Sequence, residues 1–429
     1  MPSLSSLTTQ SDQTDTRGFA VQMRRVRWPS QATDSREPRE ANLAREPAGG
    51  RTRSILIAHP SADVYGSDLQ LLETVTGLVE RGWRVVVVVP AAGPLVSRMR
   101  DRGADVRLHP FPVLRRAHAS ARGVAALAWA GGRFAVSGRR LIKAVSADTV
   151  LVNTVTIPWW IVAGRLAGVP TTCHVHEAAT EDHAIIRSTM ATPLLAASRV
   201  VVLSRAVLEA TCRSVPGLRR RSRLVYNGVP GPSVEPAPPR EHAGPYRLLV
   251  ISRLSPGKSP DTAIRALALL RDRGTEATLD IAGTSFAGYE WYEQELHCLA
   301  AELGVSSAIS WHGYVSPVWE LLSSSDVVIA PSLREGFGNV VVEAQLAARP
   351  VIAAAVDGHL ETVTHGQTGL LFPARDAEAL ASGIQRICQD QALAVRLAQC
   401  GRKVALRRFS PERYRAEVAR VVAESCGLP

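Results

Sequence analysis

No stretch of this 429-residue chain is apolar for long enough to cross a bilayer. The longest run without a charged residue, Leu303 to Trp319, has 17 residues and is broken by Gly304, His312, Gly313 and Pro317, whereas a spanning helix needs about 20 consecutive apolar residues. Cysteine is scarce. The six, at positions 173, 212, 298, 388, 400 and 426, form no C-x-x-C pair, which excludes a disulfide framework and a cysteine zinc site and suits a reducing compartment. No G-x-G-x-x-G follows the first candidate strand, which disfavours a nicotinamide-dependent dehydrogenase. Lysine-rich blocks and basic-aromatic repeats are also missing. The 50 basic against 39 acidic residues give a formal charge of +11, so an acidic partner is expected, but nucleic acid is the least suited; anionic lipid and sugar nucleotides remain. What is present is an ordinary globular composition, 46% hydrophobic and 21% charged, in a length that suggests two or three domains at roughly 100 to 200 residues each.

Residues 1–50 are rich in Ser, Thr, Gln, Arg and Glu and lack the apolar centre of a signal peptide, while their acids argue against an import peptide. They read as a disordered tail or as the product of a misplaced start, with Met23 an alternative. From Ser54 onward short β-branched runs alternate with amphipathic stretches, the pattern of an α/β protein. Candidate strands are Ile55–Ile57, Val85–Val89, Val106–Leu108, Thr149–Val152, Thr171–His174, Val200–Leu203 and Leu224–Val225, with a helix expected over Ser67–Glu80. Five consecutive valines at 85–89 fit a strand covered on both faces of a parallel sheet. Gly228 to Gly244 holds Pro230, Pro232, Pro236, Pro238 and Pro239 and reads as a linker. The pattern then restarts, with strands at Leu248–Ile251, Leu279–Ala282, Ile309–His312, Val327–Ala330, Val351–Ala354 and Leu370–Phe372. The expected organisation is two α/β domains of similar size, at 51–230 and 246–405, joined by a linker at 231–245 and followed by a last helix within 406–429. Ser410-Pro411-Glu412 announces that helix, with Ser as N-cap and Pro in the first turn.

Ligands of such sheets bind beyond the carboxyl ends of the strands, so post-strand loops are where chemistry is sought. The loop after Ile57 ends in Tyr65-Gly66-Ser67, where Gly66 could admit a phosphate or simply make a turn. The loop after Ile251 carries Arg253 and Lys258 around Ser259-Pro260-Asp261, with Ser259 placed to cap a helix. Two permanent cations beside a helix N-terminus suit a diphosphate. The run Ser332-Leu333-Arg334-Glu335-Gly336-Phe337-Gly338-Asn339-Val340-Val341-Val342-Glu343 follows another strand and opens a helix whose first amides suit an anion. Acids in such a place make sense if the ligand also carries hydroxyls for them to accept. Finally, His174 and His176 share one face of a strand. An H-x-H metal pair needs more ligands, and His183 is the only other histidine close in sequence.

Glu335 and Glu343, with Gly336-Phe337-Gly338 between them, resemble the E-x7-E motif of retaining glycosyltransferases of the GT-B fold, glycosyltransferase family 4. The resemblance runs from about Ser54 to Ala423 and includes Leu224-Val225-Tyr226-Asn227-Gly228-Val229, Ile251-Ser252-Arg253-Leu254, Ile281-Ala282-Gly283 and Gly366-Gln367-Thr368-Gly369-Leu370-Leu371. It implies two Rossmann-like domains facing across a cleft, the first, 51–230, on the acceptor side and the second, 246–405, binding the nucleotide sugar, with the C-terminal helix at 406–429 crossing back to the first. It also implies that Arg253 and Lys258 hold the donor diphosphate with the amides around Phe337, Gly338, Asn339 and Val340. Glu335 would contact the donor sugar, Glu343 the ribose hydroxyls, Gly66 would close on the donor from the opposing domain, and His176 would face the transferred sugar. Catalytic roles fall to His176 and Glu335.

No D-x-D occurs, which removes the usual metal-diphosphate motif of the other large glycosyltransferase fold. Neither a metal nor another cofactor is expected. The implied function is metal-independent, retaining transfer of a hexose from a UDP- or GDP-sugar to a hydroxyl of a lipid-linked or polysaccharide acceptor, in the cytoplasm or at the inner face of the membrane, in the making of the cell envelope. The chain departs from the family at Ser259 and Arg349, where Gly is common, and in offering a single Gly at Gly66. Val113 to Val145 interleaves Arg115, Arg116, Arg122, Arg133, Arg139, Arg140 and Lys143 with apolar residues, so it could rest on an anionic membrane. A nucleotide-sugar epimerase of the same architecture and a non-catalytic nucleotide-sugar or polysaccharide-binding protein are the alternatives.

Overall fold

The computed structural model describes residues 52–63, 66–114, 121–176, 191–239, 244–286 and 288–428. The proposed tail at 1–50, Tyr65 and His183 lie outside them. Among the described residues the β-branched runs form thirteen strands: β1 Ser54–Ala58, β2 Arg84–Val89, β3 Asp105–Leu108, β4 Thr149–Val152, β5 Thr171–Val175, β6 Arg199–Val202, β7 Ser222–Leu224, β8 Tyr246–Ile251, β9 Ala277–Ala282, β10 Ile309–Gly313, β11 Val327–Ala330, β12 Val351–Ala354 and β13 Leu370–Phe372. They make a seven-stranded sheet in the order β3-β2-β1-β4-β5-β6-β7 and a six-stranded sheet in the order β10-β9-β8-β11-β12-β13. Every pairing is parallel, for example Ile57 beside Val87 and Leu151. The five valines of β2 are all buried, as a strand with helices on both faces requires. The fold is α/β, with chain order reversing between β1 and β4 in one sheet and between β8 and β11 in the other. Loops diverge at those two switch points and open a crevice at the strand ends.

Between the sheets, residues 225–239 make neither helix nor strand. Gly228 is gripped by the Gln70 side chain, whose Nε2 donates to the Gly228 carbonyl at 2.6 Å while its Oε1 accepts from the Gly228 N–H at 3.1 Å. The final helix, Pro411–Ser425, starts as its sequence predicts: Ser410 Oγ accepts from the Arg413 N–H. It packs on the helix Gly66–Val79 and on β6 of the first sheet, with Tyr414 Oη 2.7 Å from Thr74 Oγ1. One hydrophobic core contains residues of both halves. Phe337, Val342 and Leu346 from the second half join Val202, Leu203 and Val229 from the first, together with Phe409.

The basic stretch forms the helix Ala121–Ala144, with residues 115–120 outside the described set. Phe134 and Ile142 face the core, while Arg139, Arg140 and Lys143 are exposed. Trp129 is 68% exposed, with the Arg133 guanidinium 4.9 Å from its ring centroid. No helix among the described residues is long and apolar enough to cross a membrane.

Candidate active site

Two loops of the second sheet, after β8 and β11, assemble the charged part of the crevice. The first is held close to the β9 end by Leu254 N–H donating to Thr284 O at 3.0 Å. That approach needs a glycine at 283, because a Cβ there would lie 1.7 Å from the Ser252 carbonyl oxygen. Arg253 is exposed, its guanidinium 5.4 Å from the Phe286 ring centroid. Lys258 Nζ donates to Glu335 Oε2 at 2.5 Å. Ser259 precedes the helix Pro260–Asp272 but does not cap it as the sequence suggests. Its φ is 50°, and its hydroxyl bonds to Asp261 and Thr262 side chains rather than to a backbone amide. This left-handed backbone is one that glycine adopts most readily.

The second loop is tied to the first by Leu333 N–H donating to Gly257 O at 2.9 Å, and to the turn after β12 by Gly358 N–H donating to Glu335 O at 2.9 Å. Its Gly338 has φ 97° and precedes the helix Asn339–Leu346. The amides of Asn339 and Val340 therefore begin a helix whose N-terminal dipole favours an anion. Burial pushes the Glu335 carboxyl up, but the Lys258 ammonium and His359 outweigh it, and the net shift is below the usual carboxylate range. Glu343 has no such compensation. Burial alone raises its carboxyl to about 7, although the side chain keeps some accessible surface. Phe337 is 2% exposed, its ring packed on Phe409 and Tyr226 at centroid distances of 5.3 and 5.9 Å. What it can offer a ligand is its N–H.

The first sheet closes on these loops from the other side. A Cβ on Gly66 would lie 3.3 Å from Asn339 Nδ2, and one on Gly336 would lie 3.0 Å from the His176 carbonyl oxygen. His176, just past β5, has Nε2 3.0 Å from Asn153 Oδ1. Burial holds its ring far below the ordinary histidine range, at about 3, with His59 pushing the same way and Asp68 opposing. The ring is therefore neutral at physiological pH. The His174 ring packs beside it, tilted by 35° at a centroid distance of 4.0 Å. No group of three or more His, Cys, Asp or Glu side chains among the described residues is arranged to hold a metal ion.

Thus Gly66, His176, Lys258, Glu335, Gly338, Asn339 and Val340 meet at one crevice, while Arg253 stands at its exposed margin. Two further contributors, His359 and Glu361, carry no motif, and Asn227 lies in the family-like run 224–229 without a role assigned to it. His359, which opens the short helix His359–Thr362 after β12, is 1% exposed and donates through Nδ1 to the Ala354 carbonyl at 3.0 Å. Asn227 donates through Nδ2 to Asn339 Oδ1 at 2.9 Å. Glu361 reaches the first half, accepting from the N–H groups of Arg205 and Ala206 and from the Tyr226 hydroxyl. Only their positions after strands or near the linker could have marked them.

Two family descriptions match the chain: Glycosyltransferase Family 4 over residues 65–230 and Glycosyl transferases group 1 over residues 235–404. The D-inositol 3-phosphate glycosyltransferase of Stackebrandtia nassauensis is 35% identical over 156 residues, which cover 34% of this chain and 34% of that protein. Glycogen synthase of Mycobacterium tuberculosis is 32% identical over 190 residues, 44% of each chain. The chain spans less than half the length of these curated relatives. HepE of Anabaena, crystallised with UDP and glucose, superposes with a TM-score of 0.73 at 22% identity, covering 86% of this chain and 99% of that one. The lipopolysaccharide outer core galactosyltransferase WaaB superposes at 0.67 and 16% identity, over 87% and 99%. At these identities the likeness is one of fold, GT-B in each case.

Proposed function

The chain belongs to the group 1 and family 4 glycosyltransferases of the GT-B fold, and from that premise we propose that it moves a hexose from a nucleoside diphosphate sugar to an acceptor hydroxyl, with retention and without a metal. The observation that carries the reading is the convergence of Lys258, Glu335 and the N-terminus of the helix Asn339–Leu346 in one crevice. Lys258 and the Asn339 and Val340 amides neutralise charge that grows on the departing diphosphate. Arg253 adds a second cation at the margin. Glu335 accepts from hydroxyls of the donor hexose, and Glu343, farther along the same helix, accepts from the ribose. His176 and Gly66 cover the sugar from the opposite sheet.

In the transfer, the acceptor oxygen forms a bond to the anomeric carbon on the face from which the diphosphate leaves. The anomeric C–O bond to the diphosphate breaks, and a departing phosphate oxygen takes the acceptor proton. Neutral His176 orients a hydroxyl rather than forming a covalent intermediate. The acceptor is a lipid-linked or polysaccharide glycan of the cell envelope, met at the cytoplasmic face of the membrane. Exposed Trp129 beside Arg133, with Arg139, Arg140 and Lys143, supports peripheral contact with anionic lipid.

The test is the melting temperature of the protein with UDP, GDP, ADP and their hexose conjugates, followed by turnover of whichever conjugate shifts it. At about 100 times its dissociation constant a ligand adds about 2.7 kcal/mol. A shift lost in Lys258→Ala, with hexose released to water or acceptor, supports the reading. Interconversion of two donor sugars without transfer would make the protein an epimerase, and binding without turnover a non-catalytic receptor.

A further inference from the structure

Three polar side chains that the donor site does not use form a continuous line beneath it that ends on His176. His59 follows β1, Asn153 follows β4 and His176 follows β5, three neighbouring strands of one sheet. Asp68 comes from the first turn of the helix Gly66–Val79. Asp68 Oδ1 lies 2.8 Å from His59 Nε2, His59 Nδ1 lies 3.0 Å from Asn153 Nδ2, and Asn153 Oδ1 lies 3.0 Å from His176 Nε2. His59 and Asn153 are each 1% exposed and Asp68 is 3% exposed, so water does not compete for these bonds.

The line has a direction, and the carboxylate sets it. An aspartate oxygen only accepts, so His59 carries a proton on Nε2, and as a neutral ring it keeps on Nδ1 the lone pair that the Asn153 amide donor at 3.0 Å requires. The atom facing that lone pair must donate, which places the Asn153 NH2 there and its carbonyl oxygen against His176. That oxygen only accepts, so His176 carries its proton on Nε2 and keeps the lone pair of Nδ1. The His174 ring packs against that of His176, centroids 4.0 Å apart and tilted by 35°. The His176 carbonyl, at the place where Gly336 comes nearest, puts the residue at the mouth of the crevice.

We propose that Asp68, His59 and Asn153 are positioning residues that lock His176 in the Nε2–H tautomer, leaving Nδ1 to accept a hydrogen bond from a hydroxyl of the donor hexose or the acceptor. The inference rests on the glycosyl-transfer reading for the hydroxyl, but the tautomer is a property of the protein alone. An imidazole presented this way selects a donor group and so distinguishes a hydroxyl from an ether or a keto oxygen at that position.

Two measurements test it. Long-range 1H–15N correlation spectra of the full chain with labelled histidine, assigned by His176→Gln and His59→Gln, should show both rings neutral with the proton on Nε2. A His59 imidazolium with the His176 proton on Nδ1 would mean that the amide is turned over, and would overturn the proposal. In the second, Asn153→Ala should lower kcat about 100-fold, as loss of orientation at a reacting group does. Affinity for the nucleoside diphosphate, bound by Lys258 on the other sheet, should stay unchanged. Asn153→Ala with wild-type kcat would also overturn the proposal. Should the wild-type protein bind no nucleotide sugar, the functional reading fails while the spectra still decide the tautomer.

Discussion

The Glu335 carboxylate accepts from the Lys258 ammonium at 2.5 Å, so the cation proposed to hold the diphosphate is already engaged by the acid proposed to meet the sugar. A diphosphate entering the crevice competes for that ammonium. Lys258→Ala should therefore weaken nucleoside diphosphate binding by about 1.5–3 kcal/mol, the worth of a charged hydrogen bond. Glu335→Ala should spare nucleotide binding, since it frees the cation, yet cut transfer sharply. Calorimetry and a coupled transfer assay read the two effects separately. Wild-type turnover in Glu335→Ala would remove the acid from the reaction.

The second acid gives a pH dependence. Burial raises Glu343 to about 7, and its ionised form is the better acceptor for ribose hydroxyls. Affinity for a nucleoside diphosphate hexose, which has no ionisation of its own in this range, should rise from pH 6 to pH 8 by up to about tenfold per pH unit below the pKa. Glu343→Gln should flatten the profile. In the free protein the sign is opposite. Between the unfolded value of about 4.3 and the folded one, the native state binds more protons, so stability falls as pH rises through that window and levels off above it. Pulling the two slopes apart requires only binding and unfolding curves at the same set of pH values. An affinity that does not change with pH would take Glu343 out of ribose recognition.

The placement of Lys258 and Glu335 in loops that directly follow β8 and β11, and of Glu343 in the helix after the second, could be read from sequence, because such loops converge at the switch point of a parallel sheet. The two-sheet architecture was legible for a similar reason: buried parallel strands leave continuous β-branched runs such as Val85–Val89. The line from Asp68 to His176 was not legible. Its contacts join residues as far apart as His59 and Asn153, and a lone Asn or His after a strand carries no local pattern. His359 was missed on the same ground. Ser259 misled because its side chain suits a helix cap while its backbone, at φ 50°, adopts the conformation usually left to glycine.

Gly338 is constrained from two directions. Its φ is 97°, and a Cβ there would stand 2.8 Å from His359 Cδ2. Gly338→Ala should cost about 1–2 kcal/mol in backbone strain alone and displace the imidazole that faces Glu335. Nucleotide affinity should fall together with stability, as measured by titration and urea unfolding. An unchanged affinity at reduced stability would show that the turn supports the fold but not the anion site.

Glu361 joins the two halves by accepting from the first amides of the helix Arg205–Ser214, at 3.0 and 3.2 Å. It acts as a capping carboxylate supplied from the other sheet. Glu361→Ala should destabilise the protein by about 1 kcal/mol, as loss of a cap does, and Glu361→Gln, which keeps an acceptor, by less. Equal losses in the two variants would mean that the charge, rather than the hydrogen bonds, carries the contact.

The last helix is held by a pair that cannot be separated cheaply. Arg415 Nε donates to Glu73 Oε2 at 2.8 Å, and Glu73 is 3% exposed. The helices approach closely at this point: a Cβ on Gly77 would lie 2.6 Å from Arg415 Cβ. Arg102 is too far from Glu73 to replace the bond, at 3.7 Å. Arg415→Met keeps the aliphatic stem but leaves a buried carboxylate with that one distant cation, and should cost about 3–5 kcal/mol. Glu73→Gln in the Arg415→Met background removes the stranded charge and should recover a large part of the loss. The four proteins form a double-mutant cycle, read by urea unfolding. Were the two substitutions simply additive, the docking of this helix would rest on Tyr414 and its apolar neighbours, and the pair would be incidental to it.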